Sequence, residues 1–332
     1  MNGRETGLQS PSGHRAPRSA RQRAFSVLKV VAFMLAVAFL VVAVARSRHE
    51  LAEVVNRPDW LVLALLVVGA VATMVVVAVG WLFVLSSLGA SMPVVRGVAT
   101  FFVGETVKYI PGSLWPVIGR GELAVREGAP RSAAYTSVLL SLGYNYVVAA
   151  AVASALLAPF MLVAGSGSLA PLWLLAVLPL AALVVHPPVS RRLLAVVERV
   201  MRRDLGLRLP AWTTSLRLTA WYLIAWGLTC LTTFAATRLV DADLPLGQLA
   251  FAACIAWLAG FLVVPAPSGL GVREAVFAAV MSGTAPTEKL LAVAIVSRVA
   301  FVFADAIGAI VGALVMKLSN SPRSEQEARV AP

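Results

Sequence analysis

The chain has 332 residues, 59% of them hydrophobic and 13% charged, with a formal net charge of +12. A soluble domain runs nearer ~45–50% apolar and ~25% charged, so this composition excludes an ordinary soluble globular protein. The charges collect in the tails and a few short connections beside long apolar runs, so the basic excess reads as membrane topology and attraction to anionic lipid heads, not as nucleic-acid binding.

Residues 1–23 are polar, basic and rich in Pro, Ser and Gly, and read as a disordered cytoplasmic tail. Apolar runs follow at 24–45, 60–88, 97–118, 132–160, 169–186, 213–239, 247–282 and 287–317. Several reach the ~20 residues that a helix needs to cross the hydrocarbon core, and none alternates as barrel strands do. The first run ends Ala43-Val44-Ala45, which resembles a cleavage site, but the run is long for a signal peptide. Between the fifth and sixth runs, residues 187–212 form a cytoplasmic connection. In it Leu193, Leu194, Val196, Val197, Val200 and Met201 recur at helical spacing among arginines, as in an amphipathic surface helix. Residues 319–332 read as a second disordered tail.

Positive loops stay in the cytoplasm. The N-terminal tail and the Arg-rich 187–217 connection are therefore placed inside, as is the C-terminus with Lys317, Arg323 and Arg329. Asp241 and Asp243, with no positive neighbour in their loop, fit the outside. These placements impose a parity. The run 97–118 must begin and end inside, and 247–282 must begin and end outside. The expected fold is an all-α, multi-pass protein of the cell (plasma) membrane with both termini cytoplasmic. It has six full spans and two re-entrant helical hairpins of opposite orientation within a transmembrane domain at 24–318. Pro111 and Gly112 break the first hairpin; Pro265, Pro267, Gly269 and Gly271 break the second. The arms are half-length or full-length helices; the parity holds either way.

Two broken elements of opposite polarity suggest an inverted repeat, an arrangement that places binding sites near the bilayer midplane. Gly119-Arg120-Gly121-Glu122 after the first break is weakly similar to Gly271-Val272-Arg273-Glu274 after the second. Ionisable groups inside a bilayer are expensive and often functional. The candidates are Glu105, Lys108, Arg120, Glu122, Arg273, Glu274, Arg298 and Asp305. Glu105 and Lys108, three residues apart, can meet on one helix face. Arg120 and Glu122 lie close to the cytoplasmic loop, where an ion pair in water is the plainer reading. Arg298 and Asp305 share nearly one face of the last span. Histidines 14, 49 and 186 are far apart, and Cys230 and Cys254 sit in apolar runs, so no metal set is legible; no nucleotide-binding motif of the Walker type is present. No cofactor is called for.

Lys108-Tyr109-Ile110-Pro111-Gly112, then Trp115 and Gly119-Arg120, resembles the family named after the transmembrane region of lysylphosphatidylglycerol synthase, also described as flippase-like. Pro265-x-Pro267-x-Gly269-Leu270-Gly271-x-Arg273-Glu274 and Ser297-Arg298 extend the resemblance over about residues 24–318. The family pattern often has Lys after the Pro-Gly, where this chain has Ser113. Only 14 residues follow the last span, too few for the aminoacyl-transfer domain of bifunctional members, so the resemblance implies lipid movement without lipid synthesis and no enzymatic activity. The implied cargo is an anionic or modified phospholipid or a polyprenyl-phosphate-linked glycan. Lys108, Arg120, Arg273 and Arg298 are the expected head-group contacts, since cations, and Arg above all, suit phosphate. Glu105, Glu122, Glu274 and Asp305 are expected to hold those cations or carry a coupling proton. Two other readings stand beside this one: a membrane-embedded lipid-phosphate transferase or hydrolase, and an accessory subunit that accompanies a cell-envelope glycosyltransferase.

Overall fold

The computed structural model describes residues 38–109, 115–163, 210–262 and 267–330, with residues 34 and 192 as isolated positions. Every element among them is helical: α1 (Arg48–Asn56), α2 (Trp60–Ser87), α3 (Val94–Glu105), α4 (Trp115–Arg126), α5 (Arg131–Val163), α6 (Trp212–Leu239), α7 (Leu246–Leu262), α8 (Val272–Val280) and α9 (Thr287–Val330). Short 3-10 turns, Thr106–Tyr109 and Pro267–Gly269, follow α3 and precede α8.

Four described helices are long and apolar enough to cross a membrane, at Trp60–Ser87, Arg131–Leu156, Trp212–Leu239 and Thr287–Ser319. They coincide with four of the six expected full spans. Of the other two, 169–186 lies outside the described residues, and 24–45 lies mostly outside them, with 38–46 helical. The 1–23 tail and nearly all of the 187–212 connection lie outside them too, as do Pro111, Gly112 and Pro265. The last helix continues to Val330, so the backbone of 319–330 is helical where the sequence suggests disorder; Glu325, Gln326, Glu327 and Ala328 there are good helix formers.

Helix directions follow from close contacts. Gly69 packs on Thr232 and Gly80 on Tyr222, so α2 and α6 run antiparallel with their backbones near each other. Gly312 packs on Ala99 and Gly308 on Phe102, so α3 is antiparallel to α9. Small residues of this kind let helices approach where lipid supplies no hydrophobic drive.

Three of the four helices in the two Pro/Gly-interrupted elements are short. At 1.5 Å per residue, α3 and α4 are each about 18 Å long and α8 about 14 Å, while α7 is about 26 Å, against a hydrocarbon core of roughly 30 Å. Arg96 at the start of α3 forms an ion pair with Glu127 just after α4, which ties the two ends of the first element together. Lys289 at the start of α9 donates to the Asp241 carbonyl just after α6, at 2.7 Å, and so brackets the segment that contains α7 and α8.

The interior is apolar but threaded with hydroxyls. Trp81, Phe101, Phe102, Met281 and Leu290 are buried in one cluster, and Tyr222, Trp226 and Val148 in a second. Trp81 Nε1 donates to Ser137 Oγ at 2.9 Å, Tyr144 to Ser215 at 2.7 Å, and Tyr222 shares a 2.7 Å hydrogen bond with Ser141. Large apolar side chains instead cover the outside: Leu61, Val68, Leu231, Phe303, Ile310 and Leu314 are all exposed. In water such a surface would be a large adhesive patch; against lipid tails it is the expected covering.

Candidate functional site

The turn after α3, the described part of the second break and the last helix converge on one charged cavity. Its walls include Lys108 and Tyr109 from the first element, Trp257 of α7, Ser268, Arg273 and Glu274 around the second break, and Ser297, Arg298 and Asp305 of α9. The cavity holds about 60 Å³ of water-sized space, room for on the order of four waters.

The first element brings three of the expected charges together. Lys108 follows Glu105 by one tight turn, and its Nζ lies 3.4 Å from Glu105 Oε2, as the three-residue spacing predicts. The same ammonium reaches α9, where it lies 2.7 Å from Asp305 Oδ2. Tyr109 donates its hydroxyl to that Asp305 oxygen at 2.6 Å. Arg120 Nε lies 3.1 Å from Glu105 Oε1. Arg120 is only 1% exposed, on the middle of α4 instead of beside a watery loop. It does not pair with Glu122. That residue points away, to Arg131 at 2.8 Å and the Tyr135 hydroxyl at 2.8 Å on α5, and the structure does not bring it to the cavity.

The second break is held from α9. Arg298 lies 2.8 Å from Glu274 Oε1 and donates to the backbone carbonyls of Ser268 at 3.2 Å and Gly269 at 3.4 Å. Those carbonyls are exposed by an irregular turn in which Ser268 has φ 52° and Gly269 φ 68°. Gly269 is required twice over: its φ favours glycine, and an added Cβ would sit 2.7 Å from the Gly260 Cα. Arg298 and Asp305, which share nearly one face of the last span, diverge, one to each broken element.

Arg273 differs from the other three cations. It is the second residue of α8, and its guanidinium lies 3.6 Å from the centroid of the Trp257 ring. Among the described residues no carboxylate forms an ion pair with it, and its buried Nε has no hydrogen-bond partner. The N-cap of α8 is Gly271, which offers no side-chain oxygen to the helix start. One oxygen each of Glu274 and Asp305 is likewise buried without a partner. A cation–π contact lowers the cost of the half-buried Arg273 charge but leaves that charge in place.

The two elements share a construction. In the first, Arg120 lies 4.9 Å from the Phe101 ring centroid, and an added Cβ on Gly104 would meet Arg120 Cγ at 2.6 Å. In the second, Arg273 stacks on Trp257, and an added Cβ on Gly260 would meet Arg273 Cγ at 2.6 Å. Each arginine thus lies over an aromatic ring and against a glycine three residues beyond it. Sequence reasoning left out Tyr109 and Trp257, although Tyr109 stands inside the recognised motif. The repeated aromatic-x-x-Gly spacing ahead of each break was the signal that could have found Trp257.

A family model described as the lysylphosphatidylglycerol synthase transmembrane region matches residues 27–308, a span that contains every residue of the cavity. No curated protein matches the chain.

Proposed function

We propose that this chain, which belongs to the lysylphosphatidylglycerol synthase transmembrane-region family, is a lipid translocase that carries an anionic phospholipid or a polyprenyl-phosphate-linked lipid across the membrane. The family is a membrane domain of lipid-related proteins, and this chain is a multi-pass helical membrane protein within it. The observation that carries the translocase reading is Arg273: a cation on the cavity wall, without a carboxylate, at a helix start that no side chain caps. Backbone N–H groups and the positive helix end favour an anion there. Arg supplies planar, multi-donor contacts that match phosphate oxygens. Lys108 and Arg298 line the same space, and Arg120 stands behind Lys108 through Glu105. Glu105, Glu274 and Asp305 hold the cations in register or carry a coupling proton.

In this reading α3–α4 and α7–α8 are re-entrant hairpins from opposite faces and form an inverted repeat within a six-span frame. The short arms α3, α4 and α8, the Arg96–Glu127 tie, the Lys289–Asp241 bracket and the matched Arg-on-aromatic units support it. The end that carries Arg96, Arg126, Arg131 and Arg217 is cytoplasmic, in the plasma membrane. The other end mixes Arg48, Arg57 and Lys289 with Glu50, Glu53, Asp59, Asp241 and Glu288.

The test is movement of a fluorescent anionic phospholipid across liposomes that contain the purified chain. Arg273→Ala and Arg298→Ala are expected to abolish it while the protein elutes as a folded species. Unchanged movement in both variants overturns the site. Release of a free head group would favour the hydrolase reading, and activity only with a co-purified glycosyltransferase the accessory one.

A further inference from the structure

The charge count of the site constrains what kind of phosphate it takes. Three carboxylates, Glu105, Glu274 and Asp305, face four cations. Lys108 and Arg120 are neutralised by Glu105 and Asp305, and Arg298 by Glu274, so the described site carries one surplus positive charge, on Arg273. Burying an unbalanced charge costs several kcal/mol even after relaxation, and the bilayer interior adds to that cost. One negative charge beside Arg273 brings the site to neutrality; two or three overshoot it.

On the translocase reading, we propose that the cavity binds its lipid through a single phosphodiester that carries one negative charge, and discriminates against phosphomonoester dianions and diphosphates. A further observation fits. The other cations are committed: Arg298 is engaged by Glu274 and two backbone carbonyls, and Lys108 by two carboxylates. A second phosphate would have to break one of these pairs and leave a carboxylate uncompensated. A phosphodiester occurs both in glycerophospholipids and in glycosyl monophosphoryl polyprenols, so either satisfies the site.

The experiment offers the purified full-length chain an equimolar mixture in detergent. It contains phosphatidylglycerol, a hexosyl monophosphoryl polyprenol, phosphatidic acid at alkaline pH and a polyprenyl diphosphate. Bound lipid is counted by native mass spectrometry. At least one diester is expected to be retained about a hundredfold or more over the diphosphate and the dianionic phosphatidic acid, the scale of one uncompensated buried charge. Which diester is retained identifies the source of the phosphate. Glu105→Gln and Glu274→Gln each remove one negative charge while keeping an oxygen acceptor in place. Either variant is expected to lose that preference or invert it. Equal binding of diester and diphosphate by the native chain, or a native preference kept in both variants, overturns the charge-count inference and leaves the translocase reading intact. Retention of none of these lipids removes the translocase reading, and the inference with it.

Discussion

Lys108 on the turn after α3 and Asp305 on α9 lie 2.7 Å apart, and the same carboxylate oxygen accepts the Tyr109 hydroxyl at 2.6 Å. The last helix thus holds both broken elements through its own charges, the first through Asp305 and the second through Arg298. Asp305 and Arg298 sit seven positions apart, which separates the attachments by about two helical turns.

This attachment has a signature in stability. Lys108→Met leaves Asp305 buried without its counter-charge and is expected to cost about 3 kcal/mol or more, whereas Lys108→Met combined with Asp305→Leu costs less than that single change. Unfolding of the purified variants in a mild detergent measures the cycle. Equal or additive losses would show that the pair acts independently.

Two glycines with positive φ separate strain from crowding. Gly128 has φ +96° with nothing within 4 Å of an added Cβ, while Gly269 has φ +68° with the Gly260 backbone 2.7 Å away. Gly128→Ala is expected to cost about 1 kcal/mol from the backbone conformation alone. Gly269→Ala adds a clash that backbone cannot relieve, so it lowers the melting temperature further and disturbs the carbonyls that Arg298 binds. A melting temperature unchanged by Gly269→Ala would contradict this geometry.

The α3–α9 contact is equally specific. An added Cβ at Gly312 would lie 2.9 Å from the Ala99 carbonyl oxygen, with no flexible side chain to give way. Gly312→Leu is expected to push α3 off α9 and lengthen the Lys108–Asp305 separation. Lipid movement then falls even though no cavity residue has changed. The same substitution at Gly143, which has nothing within 4 Å, is the control.

Ser137→Ala removes the acceptor of the buried Trp81 indole N–H, bonded at 2.9 Å. An orphaned buried donor costs about 1–3 kcal/mol, so thermal unfolding should shift down by several degrees. Ser86→Ala, which breaks only an exposed bond to the Phe83 carbonyl in the same helix, should shift it little.

Some of the site was legible because it is local. Glu105 and Lys108 meet because residues three apart share a helix face, and Arg273 and Glu274 lie in the first turn of α8 because a glycine break precedes them. The partners of Arg298, Asp305 and Arg120 were not. Arg298 shares nearly a helix face with Asp305 yet turns to Glu274, and Arg120 bypasses Glu122, two residues away, for Glu105. These choices are made by how the broken elements dock, through close approaches at Gly104 and Gly260 whose partners, Arg120 and Arg273, come from the following helix.

By itself, the amino-acid sequence determined that the chain is a helical membrane protein and that its ionisable residues gather at two Pro/Gly breaks and in the last span. Hydropathy and the cost of buried charge act along the chain and are written in composition and spacing. Only the tertiary structure decided that Arg273 is the cation left over. Whether a buried charge is neutralised depends on which carboxylates packing brings within a few ångströms, and in this protein those come from other helices.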